Sequence, residues 1–461
     1  MPWAVTSRDQ SQNGIKIAGL AIVPFLIAAA IWRIIPNILI DADTPRYLAN
    51  DPMRTATYPL FLDLFYGPAL LPIQLMLFAG ALSWLALYAS RLLPLLAASA
   101  IVLAIGANPY LWQLQATAMS EALTTPLLTV VVGLIIGFTA RQGAGTVIAA
   151  SLLCGIATTV RPACAALLVV PLSAIVSANL DRRFKLAGLT LLAFAAPIAL
   201  ERAYSRIIHG NALTSPLGRH VFMKAAVIDA PMGKTSSTDV LDRRLVDSLN
   251  YDFAAVRAEL DAAPNWHIRY ILLTNYEACA AWGCGDIILQ GIHRPRPEID
   301  AALMRAGLAR LRANPVGYLR LSATEYHRMW LLHPRKHPDL ASLYNAFLAK
   351  EAPLPFQQQL GVEARPTPLE EQSQLLRINR AAFAAVGLFA ALLMVTTAVL
   401  HHRKLNRAAF PLLLGGQAVL ILSAFTAVGS PRYAMGMWPM IIAGVVLGAL
   451  GLLRLRGLEK L

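Results

Sequence analysis

The chain has 461 residues, of which 57% are hydrophobic and only 14% charged, and its mean hydropathy is +0.54. Soluble domains carry about a quarter charged residues, so this deficit excludes an ordinary water-soluble globular protein and points to lipid as the solvent. The net charge of +14 does not imply a nucleic-acid partner, because the basic residues recur as short clusters between apolar stretches, the pattern of cytoplasmic membrane-protein loops.

A membrane-crossing helix needs ~20 mostly apolar residues. Ten stretches are candidates in chain order: Gly14–Ile35, Leu70–Tyr88, Leu92–Ala107, Ala122–Ala140, Gly143–Val160, Ala163–Ala178, Leu186–Tyr204, Ala381–Leu400, Ala408–Val428 and Ala434–Leu453. The third and sixth are short. The first follows Arg8 and Lys16 as a signal peptide would, but it is longer than such an apolar core and has no small-residue cleavage site, so it reads as an anchor. The expected fold class is an all-α polytopic membrane protein of about ten spans, with a mainly helical domain inserted before the last three.

Alternating sides from a cytoplasmic N-terminus makes every cytoplasmic connection basic. These connections carry Arg91, then Arg141, then Arg182, Arg183 and Lys185, then Arg403, Lys404 and Arg407, with Arg454, Arg456 and Lys460 in the tail. The opposite connections hold the acidic residues Asp41, Asp43, Asp51 and Glu121 beside Arg46, Arg54, Arg161 and Arg432. The polar stretch 205–380 falls on that outer side, and long segments translocate regardless of their charge. Three parts are therefore expected: a membrane module over 1–204, an extracytoplasmic domain over 205–380 and a second membrane module over 381–461.

Within the inserted part, 239–260 and 303–311 have helical periodicity, and Pro315–Leu332 is amphipathic and reads as an interfacial helix. Pro353–Pro368 reads as a connector. His327, His333 and His337, separated by prolines, match no metal-ligand spacing and read as surface histidines. Cys154 and Cys164 fall in apolar stretches and read as small buried hydrophobes. Cys279 and Cys284 lie close enough in an oxidising compartment for a local disulfide, or they stay free.

Five polar segments converge on the outer side. Asp41-Ala-Asp43-Thr-Pro-Arg-Tyr47 follows the first span, and Arg54-Thr-Ala-Thr-Tyr58-Pro leads back toward the membrane. Gln115-Ala-Thr-Ala-Met-Ser120-Glu121 opens the fourth span, Thr159-Val-Arg161-Pro162 joins the fifth to the sixth, and Ser430-Pro-Arg432-Tyr433 precedes the tenth. Ionisable residues at the membrane cost ~2.5–3.5 kcal/mol each by insertion scales and usually pair or face a cavity. Carboxylates and arginines gathered from distant segments thus suggest one shared cavity, against a bland alternative of independent interfacial residues. Such a cavity suits transfer from a phosphate-linked donor: arginine forks hold a leaving phosphate, and a carboxylate accepts the proton of an incoming hydroxyl or amine.

These segments resemble the bacterial GT-C glycosyltransferases, and are similar to the dolichyl-phosphate-mannose protein mannosyltransferases and the lipid A aminoarabinose transferases. The likeness rests on Asp43-Thr-Pro-Arg-Tyr47, on Arg54-Thr-Ala-Thr-Tyr58-Pro59, on Ser120-Glu121, on Arg161-Pro162, on Asn314-Pro-Val-Gly-Tyr through Trp330, and on Arg432-Tyr433 with Pro439, all in order along the chain. Thr55-Ala56-Thr57 departs from the family's usual Pro-Gly before the tyrosine.

The resemblance implies an inverting enzyme of the bacterial cytoplasmic (inner) membrane, with its active site on the extracytoplasmic side. It would move a sugar from a polyprenyl-phosphate donor to a glycan, lipid or protein acceptor. It makes Asp43 the general base, against a helix cap or an ion pair with Arg46. Asp41 becomes a second carboxylate or, with Asp43, part of a divalent-cation site for Mg or Mn, which some relatives need and others do not. Arg54, Arg161 and Arg432 become donor-phosphate ligands, against simple pairing with acidic residues. Glu121 would orient an arginine or contact the sugar, against a favourable charge at a helix N-terminus. Tyr47, Tyr58 and Tyr433 would line the cavity or anchor at the interface. The rival readings are a flippase for lipid-linked sugars, which predicts midspan charges and internal repeats not seen here, and an O-antigen polymerase or ligase.

Overall fold

The protein is described from a computed structural model that covers residues 7–41, 43–51, 54–65, 67–141, 143–178, 183–210, 217–230, 239–331 apart from scattered positions between 266 and 286, 364–366, 369–400, 404–427 and 429–455. Cys279, Cys284, His333, His337 and most of the Pro353–Pro368 connector lie outside the described residues. The chain is an all-α polytopic membrane protein. Among the described residues, six helices are long and apolar enough to cross a membrane, and a seventh candidate is the pair Leu95–Gly106 and Pro109–Ala116, bent by 55°. Three shorter apolar helical segments, Ala144–Val160, Pro162–Ser177 and Trp438–Leu453, complete the ten apolar stretches. The bend falls at Asn108-Pro109, just past the end of the third stretch: Asn108 caps the second helix through the Tyr110 amide, and proline cannot supply the amide that would continue the first.

The chain packs as two units, the first comprising Met1–Ala212, Phe347–Val419 and Ala434–Leu461, the second Leu213–Ala346 and Leu420–Tyr433. Leu420–Tyr433 thus packs with the inserted part, although apolar helices flank it in the chain.

In the first unit, α1 (Ser7–Ile34) leads into a short strand β1 (Ile38–Ile40), α2 (Thr44–Leu48) and α3 (Thr57–Leu64). The helices α4 (Leu70–Ala89), α5 (Leu95–Gly106), α6 (Pro109–Ala116), α7 (Glu121–Arg141), α8 (Ala144–Val160), α9 (Val169–Ser177) and α10 (Arg183–His209) follow. Here α4 packs on α1 and α7, and α8 lies between α7 and α10. β1 pairs in parallel with Ala364–Pro366. With lipid as the alternative neighbour, helices associate through close packing rather than hydrophobic drive. Gly155 of α8 is the clearest instance: a Cβ there would collide with the carbonyl oxygen of Phe194 on α10.

The second unit has its own apolar core around Phe222, Leu245, Leu249 and Leu303. Its helices are α11 (Leu217–Ala226), α12 (Val240–Asp247), α13 (Ala254–Ala262), α14 (Arg296–Ala313) and α15 (Pro315–Leu331). Two buried arginines bolt it together through backbone oxygens: Arg310 donates to the Ile228 carbonyl at 2.8 Å, and Arg257 donates to the carbonyls of Ala226 and Leu249. α15 also grips the segment Leu420–Tyr433. The Tyr318 hydroxyl donates to the Phe425 carbonyl at 2.8 Å, and the buried Glu325 carboxylate, paired with Arg328, accepts from the Gly429 amide. Gly429 has no room for a side chain against the Glu325 backbone.

Replacing Gly155 with alanine is expected to force α8 from α10 and to cost about 1–3 kcal/mol. Thermal unfolding of the purified protein in detergent should show the lowered transition.

Candidate active site

The first loop is built from its two ends inward. At one end the backbone carries the contact: the Ala118 amide donates to the Leu39 carbonyl of β1 at 2.8 Å, and Thr44 Oγ1 donates to the Ala118 carbonyl at 3.0 Å. The same Thr44 oxygen accepts from the Asp41 amide, so the acidic turn is tied to the segment that precedes α7. Pro45 stands in the first turn of α2, where a missing N–H costs nothing, and Asn50 turns the chain in the left-handed region that asparagine tolerates. At the other end Thr55 Oγ1 donates to the Val160 carbonyl, Thr57 Oγ1 to Thr159 Oγ1, and the Ala56 amide to Glu201 Oε1 at 2.9 Å. The loop is thereby held against the ends of α7, α8 and α10.

That bracing sets the charged groups in a connected series. Asp43 occupies the N-cap position of α2 but makes no side-chain cap there; its carboxylate pairs with Arg54. Asp43 is thus not a side-chain cap, and Arg54 across the loop is one of its partners. The Arg54 guanidinium lies 5.2 Å from the centre of the Tyr47 ring, within cation–π range. Tyr47 donates its hydroxyl to Ser120 Oγ at 3.1 Å, Ser120 donates to Glu121 Oε2 at 3.1 Å, and Arg161 Nη1 donates to Glu121 Oε1 at 2.7 Å. Glu121 starts α7 and Arg161 ends α8, and these helices pack side by side, so the two charges meet at one end. Glu121 is 1% exposed and Arg161 10%, which makes each the other's compensation in a dry setting.

Tyr58 closes the inner side. Its ring meets Tyr47 edge-on at 5.0 Å, and its hydroxyl accepts from Gln74 Nε2, which also donates to the Thr117 carbonyl. Gln74 Oε1 and both amide atoms of Gln115 are buried with no hydrogen-bond partner among the described residues. Burying such a group unpaired costs roughly 1–3 kcal/mol, which a hydroxyl-bearing ligand or water would relieve. Gly436 runs beside Arg161, where an added Cβ would stand 3.6 Å from Nη1.

The structure therefore brings Asp43, Arg54, Tyr47, Tyr58, Glu121 and Arg161 together in the first unit, with Asp41 in the same turn. Arg432 and Tyr433 belong to the second unit, where the Arg432 guanidinium lies 5.7 Å from the Tyr433 ring centre. Asp41 Oδ1 accepts from the Asp43 amide and Asp43 is held by Arg54. Among the described residues no group of three or more His, Cys, Asp or Glu gathers. As arranged, with a guanidinium against one of its two carboxylates, the Asp41–Asp43 pair does not fit a divalent cation. Sequence reasoning missed Thr44, Gln74 and Glu201. Glu201 was within reach, as a carboxylate inside the seventh apolar stretch; the other two are ordinary residues until a partner is known.

Burial pushes the Tyr47 hydroxyl up to about 12, with the Arg54 charge opposing and the Asp43 and Glu121 charges adding to the rise. The ring stays a neutral donor through the working range.

No family model and no curated protein sequence matches the chain. Among solved structures, ArnT from Cupriavidus metallidurans, bound to undecaprenyl phosphate, aligns over 95% of this chain and 78% of its own, at 14% identity and a TM-score of 0.33. What the site can do is read from its geometry alone.

Glu121→Gln removes the counter-charge of a buried guanidinium and is expected to cost about 3–5 kcal/mol, whereas the double change with Arg161→Gln should cost less than the sum of the single changes. Thermal unfolding of the three variants measures both. Because the folded-state value of Tyr47 lies above its unfolded value near 10, its contribution is complete below pH 10 and is lost as pH rises toward 12. Tyr47→Phe should accordingly flatten the loss of stability across that window in a pH series of melting curves.

Proposed function

We propose that the chain is a GT-C-type glycosyltransferase that moves a sugar from a polyprenyl-phosphate carrier to an acceptor on the extracytoplasmic side of the bacterial cytoplasmic membrane. The observation that carries this reading is the unbroken series Asp43–Arg54–Tyr47–Ser120–Glu121–Arg161. A carboxylate partly open to solvent stands at one end and guanidinium groups stand within it, at the mouth of helices apolar enough to hold an isoprenoid tail. The motif resemblance of the same residues points the same way.

In this mechanism the donor phosphate enters beside Arg54. The guanidinium has five N–H donors in a fixed fork, so phosphate oxygens compete with Asp43 for it and free the carboxylate as they bind. The acceptor hydroxyl or amine then attacks the anomeric carbon from the face opposite the phosphate. Its proton passes to Asp43, the bond between the anomeric carbon and the phosphate oxygen breaks, and the electron pair leaves with polyprenyl phosphate. Arg54 neutralises the departing charge. Glu121 holds Arg161 in place, and Tyr47 and Ser120 link that pair to the reacting loop. The amide oxygen of Gln74 and the amide of Gln115, without partners among the described residues, suit the hydroxyls of a sugar. No step passes through a metal ion.

Purified protein incubated with a panel of polyprenyl-phosphate sugars and scored for release of free polyprenyl phosphate tests this reading. Asp43→Asn is expected to lower transfer by about 10²-fold or more while leaving the melting temperature within a few degrees. Full activity in that variant would sink the general-base assignment, and release from no donor in the panel would sink the transferase reading.

A further inference from the structure

Helix α15 has two opposed faces. Tyr318 and Glu325, two turns apart, hold Leu420–Tyr433, as described above. Gly317, Arg320, Thr324 and His327 recur at the alternating three- and four-residue spacing of the opposite face, and with Leu321 they line a cavity of about 580 Å³ within the second unit. Ile228, Leu260 and Leu273 form apolar wall across from them. The volume and the lining, mostly apolar with a few polar groups, are those of small-molecule sites.

The charges around this cavity do not cancel. Arg269, on its wall, pairs with Asp261 at 2.9 Å, and Asp229 has Arg257 at 3.8 Å. Arg320 and His327 form no ion pair among the described residues, and Arg320 stands exposed at the cavity edge. They lie two turns apart on one helix face, about 10 Å along the axis, so both can reach a single extended head group. A rim carrying the Arg320 guanidinium and the His327 imidazole over an apolar wall matches a ligand with an anionic head and an apolar part.

We propose that this cavity binds an anionic amphiphile, its phosphate or carboxylate held by Arg320 and His327 and its apolar part lodged against Ile228, Leu260 and Leu273. The proposal does not depend on the transferase reading, since it concerns the second unit and uses none of that site's residues. A water-soluble phosphate shares the anionic group but not the apolar part, and the test separates the two.

The full-length protein in nanodiscs of pure phosphatidylcholine is titrated calorimetrically with dihexanoyl phosphatidic acid, with inorganic phosphate and with dihexanoyl phosphatidylcholine. Saturable binding of the phosphatidic acid is expected, about tenfold or more tighter than either of the other two. Changing Arg320→Gln together with His327→Gln should weaken that binding by about tenfold or more, as loss of charged hydrogen bonds does. Thr324→Trp keeps the charge but fills the cavity, and should abolish binding. All the changed residues except Thr324 are exposed rim groups and Thr324 is itself exposed, so melting temperatures near wild type verify that each variant folds. Absent binding, equal binding of the zwitterionic lipid, inorganic phosphate binding as tightly as the amphiphile, or unchanged affinity in the folded variants would each overturn the proposal.

Discussion

A charged side chain buried at the end of an apolar helix is cut off from water, so it must be given a partner by the fold. Glu121 and Arg161 meet that demand for each other, and much of the first unit follows from their meeting. The short connection between α7 and α8 sets the start of one beside the end of the other, and the pair holds those ends together. Ser120 and Tyr47 extend the pairing into the first loop, and the loop in turn places Asp43 against Arg54. The buried members of such a series depend on one another, so the effects of changing them singly do not add.

The loop that carries Asp43 has little apolar surface of its own. Its shape comes from hydroxyls and amides that reach backbone carbonyls or a carboxylate on other elements: Thr44 to Ala118, Thr55 to Val160, the Ala56 amide to Glu201. Threonine suits this work because its short side chain loses little freedom when it bonds nearby. The same device recurs in the second unit, where Arg257 and Arg310 serve carbonyls rather than carboxylates and hold helices and loops in register.

Much of the site was legible because charge is rare in this chain. With 14% charged residues, each ionisable group in or beside an apolar stretch stands out, and Asp43, Arg54, Glu121 and Arg161 announce themselves by position. Their pairing was not legible. Nothing local marks Arg54 as a partner of Asp43; the anchoring of Thr55 beside Val160 brings its guanidinium to the carboxylate. Gln74, mid-helix in α4, reads as one polar residue among apolar ones until Tyr58 and Thr117 are placed beside it.

Taken by itself, the sequence determined the solvent, the order of the apolar stretches, and the segments where polar chemistry could collect, because hydropathy over ~20 residues is a local quantity set by composition. The tertiary structure alone decided how the chain is divided, with Leu420–Tyr433 held by α15 through Tyr318 and Glu325. It also decided that one face of that helix is an anchor and the other the rim of a cavity. Periodicity marks which residues of a helix share a face; which neighbour covers that face depends on contacts between residues a hundred positions apart, and no local pattern records them.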